Sequence, residues 1–284
     1  IIVMIYSKYY SDKVILVTGG AGAIGSNLVK KLCSITRRKV IVLDNLSSSY
    51  VWNIPDNENM IFVKGDIRND DDLRRVFHFK PEVVFHLAAF FANQNSVDYP
   101  IINNEVNSTG MLKLLEYSVL SGNVQRFVYT NSEGGAYGRE SKQPYRENDI
   151  SLDLSTPYYI SKLAGEAYCQ FYSNQYKLPV SIVRLFNSYG PGEVPGQYRN
   201  VIPNFIYWAL QKKALPVTGS KSMARDFVFV DDTIEGILRA GFFDEAIGKA
   251  VNIATGNSVN IMDVANYINS KTGNTSGIHF LEKR

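Results

Sequence analysis

Tyr158 and Lys162 stand four residues apart in the run Tyr158-Tyr159-Ile160-Ser161-Lys162. On a helix that spacing puts both side chains on one face, so a phenol and an ammonium can enter one crevice together. A free phenol titrates at about 10, too high for a base near neutral pH. A neighbouring cation favours the phenolate, and lowering the value by about three units takes roughly 4 kcal/mol of differential interaction. The pair is a weak pattern alone: with 18 tyrosines in the chain chance matches are expected, and a pair on one helix face is usually structural. Its weight comes from what precedes it.

Gly19, Gly22 and Gly25 read G-x-x-G-x-x-G, directly after the apolar run 14–17 and directly before a helical stretch at 26–32. A buried strand, a glycine turn and a helix N-terminus make a cradle for a pyrophosphate: bare backbone admits the phosphates and the helix dipole favours their charge. The loop is one residue longer than the common G-x-G-x-x-G, and a glycine turn that binds nothing is the alternative. A second apolar run, 40–43, ends in Asp44, 19 positions past Gly25. A carboxylate there accepts both ribose hydroxyls of an adenosine and repels a 2′-phosphate, which favours NAD over NADP. A third run, 61–63, leads to Gly65-Asp66-Ile67, where Asp66 can meet the adenine amino group or simply cap a helix.

The elements that must position these residues alternate. Near-continuous apolar runs at 14–17, 40–43, 61–63, 83–87, 126–130 and 180–185 predict strands buried on both faces, with helices at 26–34, 70–79, 107–121 and 156–176 between them. The expectation is an α/β fold: a Rossmann-type, doubly wound parallel sheet over 13–187, then a smaller, loop-rich C-terminal substrate-binding lobe over 188–284, with some interleaving. Residues 1–12 read as a tail or edge segment. The 284 residues carry a net charge of only +3, 45% hydrophobic and 20% charged residues, and no basic run, which argues against a nucleic-acid partner. No apolar stretch has the length of a membrane span, the opening residues lack a signal-peptide pattern, and the three histidines lack zinc spacing, so no metal is expected. Cys33 and Cys169 each fall in a helical pattern and read as core fillers, which fits a reducing cytoplasm.

With these residues in place, the chain resembles the extended short-chain dehydrogenase/reductase family, and within it the NAD-dependent nucleotide-sugar epimerases and dehydratases. The matching stretches are VTGGAGAIGSNL (17–28), DNLSS (44–48), GDIRN (65–69), HLAA (86–89), YYISKLAGE (158–166), RLFNSYGPG (184–192) and RDFVFVDD (225–232). The resemblance covers 13 to about 280. It implies NAD contacts from Gly19, Gly22, Ala23, Ile24, Gly25, Asp44, Asn45, Ser47, Asp66, Ile67, Leu87, Ala88, Ala89, Asn107, Tyr158, Lys162 and Phe186. It implies that Tyr158 takes the proton from a sugar 4-hydroxyl while a hydride leaves carbon 4 and later returns to the other face, with a Ser or Thr hydroxyl in the relay. It further implies Asn187 and Arg225 on the substrate diphosphate, the backbone of Asn200 and Val201 toward the nucleobase, and Pro216 and Thr218 beside it. For Arg225 an ion pair with Asp226, Asp231 or Asp232 is the alternative. Phe90, Phe91 and Asn93 border the sugar pocket or pack in the core.

The chain departs from the family in Thr130-Asn131-Ser132-Glu133-Gly134-Gly135-Ala136-Tyr137-Gly138. Counting back from Tyr137-Gly138, Glu133 occupies the usual hydroxyl position, with Ser132 one residue earlier. The hydroxyl role is assigned to Ser132; Glu133 is either a solvated loop charge or a catalytic acid. The leading expectation is therefore 4-epimerisation of a UDP-hexose. The alternatives are a dehydratase or decarboxylase using Glu133, and a protein that binds NAD without turnover. The last reading leaves Tyr158, Lys162 and Arg225 without a purpose. Relatives of this kind usually run a few dozen residues beyond the position of Arg284. Homodimers pairing the helices 107–121 and 156–176 are common among them, although Met111, Leu112, Leu114, Leu115 and Val119 are equally explained by packing on the sheet.

Overall fold

Strands buried on both faces need little beyond β-branched and apolar residues, and each of the six predicted runs forms one. The computed structural model describes residues 2–138 and 143–281. The first half contains α1 (Ile2–Ser11), β1 (Ile15–Thr18), α2 (Ala23–Ile35), β2 (Val40–Asp44), β3 (Met60–Lys64), α3 (Asp70–Phe77) and β4 (Val83–His86). There follow α4 (Asn93–Asp98), α5 (Pro100–Asn104), α6 (Met111–Ser121), β5 (Arg126–Ser132), α7 (Pro157–Tyr176), β6 (Val180–Leu185) and β7 (Asn187–Tyr189). The last part comprises α8 (Val201–Leu210), β8 (Leu215–Thr218), β9 (Ala224–Arg225), β10 (Phe227–Phe229), α9 (Val230–Phe242), β11 (Ala250–Ile253), β12 (Val259–Asn260), α10 (Ile261–Thr272) and β13 (Ile278–Leu281).

Seven strands form one sheet in the order β11-β6-β5-β4-β1-β2-β3, and every pair in it is parallel. The order reverses at β1, between β2 and β4, which opens a crevice at the C-terminal strand ends. One core layer packs under α3, α6 and α7 with Leu73, Leu114, Leu115 and Cys169; the other packs under α1, α2 and α9 with Tyr10, Leu28 and Ile237. Met111, Leu114 and Leu115 are fully buried against the sheet, so this part of the apolar pattern serves the core. Cys33 and Cys169 are buried free thiols, as expected.

Residues 2–11 are neither a tail nor a sheet edge. They form α1, and Tyr6 and Tyr10, one turn apart, are fully buried. The Tyr6 hydroxyl donates to Glu235 Oε2 at 2.6 Å and the Tyr10 hydroxyl to the Leu238 carbonyl at 2.8 Å, tying α1 to α9. The partners lie more than 200 residues away, which is why the local pattern did not show them.

A smaller core of Phe205, Ala209, Leu215, Val217, Ile261, Ala265 and Ile268 holds α8, α10 and the parallel pair β8–β13. The chain crosses between the two regions, since β11 returns to pair with β6. No helix among the described residues is long and apolar enough to cross a membrane.

Candidate active site

A single cleft of about 1200 Å³ runs from the glycine loop to β8 and β9. At one end, the loop between β1 and α2 turns at Gly19, whose φ of +72° suits glycine. A Cβ on Gly25 would meet the Gly19 carbonyl oxygen at 2.1 Å, so the helix sits directly on the loop. With Gly22 as the N-cap and no acidic residue in its first turn, α2 offers its unpaired N–H groups to the cleft. The Asp44 carboxylate accepts from Ala21 N at 2.9 Å, Leu46 N at 2.8 Å and the Ser49 hydroxyl at 2.8 Å, which fixes it at the end of β2. Burial acts to raise the pKa of Asp66, but hydrogen bonds from the Arg68 side chain and backbone and from Asn45 outweigh it and bring it to about 2. A backbone cradle that a single methyl would fill, beside two fixed carboxylates, fits a dinucleotide.

The middle of the cleft is set by β5 and α7. Thr156 caps α7, its hydroxyl accepting from Tyr159 N, and Tyr158 and Lys162 follow on the inward face. Both are buried. Burial pushes the Tyr158 phenol well above its ordinary value; the neighbouring Tyr159 adds to this, and only the Ser132 hydroxyl acts downward. Burial also depresses the Lys162 pKa to about 8, which leaves its ammonium charged near neutral pH. Its Nζ lies 4.5 Å from the Tyr129 ring centroid. Ser132 Oγ is itself buried and makes no hydrogen bond of regular geometry among the described residues. Burial also holds His86 neutral down to about 3, its Nδ1 2.7 Å from the Thr18 hydroxyl.

At the far end, β7 pairs in parallel with β10 and brings Asn187 over Glu133. Asn187 Nδ2 donates to both Glu133 oxygens, at 3.2 and 3.3 Å. Burial raises the Glu133 pKa against the lowering effects of Asn187 and Arg225. Arg225 is exposed at the cleft and makes no ion pair among the described residues; Asp226 instead accepts from Thr255 and Gly256. Asn200 caps the start of α8, and Asn200, Val201, Pro216 and Thr218 all line the cleft. Phe90, Phe91 and Asn93 line it as well.

Every sequence-predicted site residue except one lies on this wall. Asn107 does not line the cleft: it is 2% exposed, accepts from Phe90 N at 2.7 Å and donates to the Phe90 carbonyl at 3.1 Å. It sits in the wide helical turn Glu105–Gly110, which joins α5 to α6 and aims the amide at the loop after β4. Asn107 thus positions the wall and does not form it.

Sequence reading used 190–192 as a motif and Asn200 as a contact, but not the way the segment 190–200 straps the cleft. Asn27 donates to the Pro191 carbonyl at 2.7 Å, Asn53 to the Gly192 carbonyl at 3.2 Å, Tyr198 to Asp98 at 2.8 Å, and Arg199 to the Ser48 carbonyl. Its Gly-Pro content signalled only a loop. Tyr159, whose hydroxyl accepts from Asn93 Nδ2 at 2.7 Å, was also missed as a wall residue.

The family model for the NAD dependent epimerase/dehydratase family matches residues 15–254. An epimerase of the methanogen Methanothermobacter thermautotrophicus is 50% identical, superposes with a TM-score of 0.97, and is matched over 100% of this chain and 84% of its own. A UDP-glucose 4-epimerase of Thermotoga maritima, solved with UDP-glucose, is 34% identical with a TM-score of 0.90, over 95% and 86%. The UDP-glucose 4-epimerase of Mycolicibacterium smegmatis is 38% identical over 85% of this chain and 77% of its own length. Relatives also include lyases, among them a UDP-N-acetyl-α-D-glucosaminuronate decarboxylase of Bacillus cytotoxicus, 34% identical over 93% and 81%. The chain belongs to the NAD-dependent epimerase/dehydratase family, is an enzyme of nucleotide-sugar modification, and takes NAD as its cofactor.

Proposed function

We propose that this enzyme catalyses 4-epimerisation of a nucleotide-diphosphate hexose of the UDP-glucose and UDP-galactose type. The observation that carries the reading is the buried Ser132 hydroxyl facing the buried Tyr158 phenol, in the same cleft as the glycine cradle. NAD held on the glycine loop would supply a reversible hydride acceptor for sugar carbon 4. Tyr158 takes the O4 proton and gives it back, and the Ser132 hydroxyl beside it shares that proton. Lys162 supplies the positive charge beneath the phenol. Gly19, Gly22, Ala23, Ile24 and Gly25 hold the pyrophosphate, and Asp44 and Asp66 hold the adenosine. Arg225, which makes no ion pair among the described residues, is the bidentate partner of the substrate diphosphate, and Asn187 joins it by exchanging a bond that it now gives to Glu133 or the Asp226 carbonyl. A cleft of about 1200 Å³ leaves room for the sugar to turn about its diphosphate link.

Incubation with a panel of nucleotide sugars tests this: an epimer keeps the substrate's mass. Tyr158→Phe should lose turnover yet retain NAD, and a Tyr158→Phe enzyme of near-normal rate removes the tyrosine as the base. A second reading, a dehydratase or decarboxylase, draws on the raised pKa of Glu133. It predicts a product lighter by water or carbon dioxide and a large loss in Glu133→Gln.

We assign the working form to a cytoplasmic homodimer. Ile160, Tyr168 and Phe171 are 56%, 36% and 52% exposed on α7, and Leu120 is 77% exposed on α6. Two copies of these helices can cover one another's apolar residues, and sedimentation reads the outcome.

A further inference from the structure

We infer that Glu133 is a charge filter in the sugar pocket, admitting sugars that present hydroxyl or amide N–H donors and excluding sugars with an anionic substituent. The inference rests on the nucleotide-sugar reading above. Glu133 opens the short turn after β5, one residue past Ser132. Glu133 lines the same cleft as Ser132 and Tyr158, so a sugar whose O4 meets those two residues enters beside this carboxylate. The two carboxylate oxygens share one donor, the Asn187 amide, which also reaches the Asp226 carbonyl at 3.3 Å. An ionised carboxylate offers about four acceptor sites, so most of its capacity is left for a ligand. Tyr159, beside it, accepts from Asn93 and keeps its own O–H to donate. Arg225 is the nearest cation and is committed to the diphosphate in the proposed complex, while Asp226 adds a second negative charge nearby. A carboxylate on the sugar would meet like charge from Glu133 and Asp226, whereas a hydroxyl or acetamido group completes Glu133's hydrogen bonds.

The experiment uses NAD-loaded Tyr158→Phe protein, in which turnover is stopped, and calorimetric binding of UDP, UDP-glucose and UDP-glucuronate at pH 7.5. UDP-glucose should bind at least on the order of tenfold more tightly than UDP-glucuronate. In Tyr158→Phe/Glu133→Gln that ratio should collapse toward one while UDP binds as before; Tyr158→Phe/Glu133→Asp, which keeps the charge, should retain it. Equal ratios with and without the carboxylate overturn the filter and leave the proposed function standing. Failure of UDP itself to bind overturns the nucleotide-sugar reading, and the filter with it.

Discussion

Ser132→Ala separates what this site does from what holds the fold together. The hydroxyl is buried and its one polar effect is on the Tyr158 phenol, in a contact short of regular hydrogen-bond geometry, so the folded protein bears its desolvation with little return. An unsatisfied buried hydroxyl costs about 1–3 kcal/mol. Deleting one oxygen forfeits a few contacts of roughly 0.1–0.2 kcal/mol each. The balance is a protein between unchanged and about 2 kcal/mol more stable. The same oxygen is the one assigned to the proton relay, whose removal should slow turnover by about 10²–10⁴-fold. Urea unfolding followed by circular dichroism reads the first number, provided the slope is constant, and steady-state turnover reads the second. Destabilisation by more than about 1 kcal/mol would show that the hydroxyl is bonded in the fold. Undiminished turnover would remove it from the relay.

Gly25→Ala drives a methyl to 2.1 Å from the Gly19 carbonyl oxygen and 2.8 Å from Gly20 Cα, both backbone atoms that cannot swing aside. Opening the loop should raise the NAD dissociation constant on the order of a hundredfold, the loss of one or two charge-assisted bonds, as read by fluorescence titration. Asp44→Ala should weaken NAD and narrow the preference over NADP, measured as the ratio of the two dissociation constants; an unchanged ratio refutes the ribose assignment. His86 stays neutral down to about 3 when folded, whereas an unfolded histidine protonates near 6.5. Between those values the unfolded chain binds the extra proton, so stability is lost as pH falls from about 6.5 toward 3, on the order of a few kcal/mol. Equilibrium unfolding across that range should show a shallower fall in His86→Gln than in the parent.

The sheet was legible because its strands are buried on both faces: β1, β2 and β4 are apolar runs closed by a single polar residue and need no partner information to be recognised. What escaped was whatever depends on distant partners. The tyrosine stripe of α1 has meaning only against Glu235 and Leu238. Arg184 is 1% exposed and grips both oxygens of Glu166 at 2.8 and 2.9 Å, under the helix that carries Tyr158. Read along the chain, that arginine is merely an interruption of an apolar strand. Asn107 lies behind the cleft wall, where a wide helical turn directs its amide to the backbone of Phe90. Motif spacing follows the chain, whereas this amide is aimed by a local change in helix geometry.

The choice between Ser132 and Glu133 shows where spacing gives out and sterics take over. Counting from Tyr137-Gly138 puts Glu133 in the hydroxyl's place, yet β5 runs on through Ser132 before the chain turns at Glu133–Gly135. That turn is possible because of its glycines. A Cβ on Gly134 would meet the Tyr159 ring at 2.1 Å, and one on Gly135 the Asn131 amide oxygen at 2.3 Å. With both positions bare, α7 closes onto the turn and Tyr158 reaches the last residue of the strand, while Glu133 is carried past it toward Asn187. The serine and the glutamate therefore exchange the parts that counting alone would give them. In the proposed complex the carboxylate falls beside the substrate diphosphate and sugar, where the inferred role of its charge is to select the sugar and the proposed hydride step does not draw on its proton.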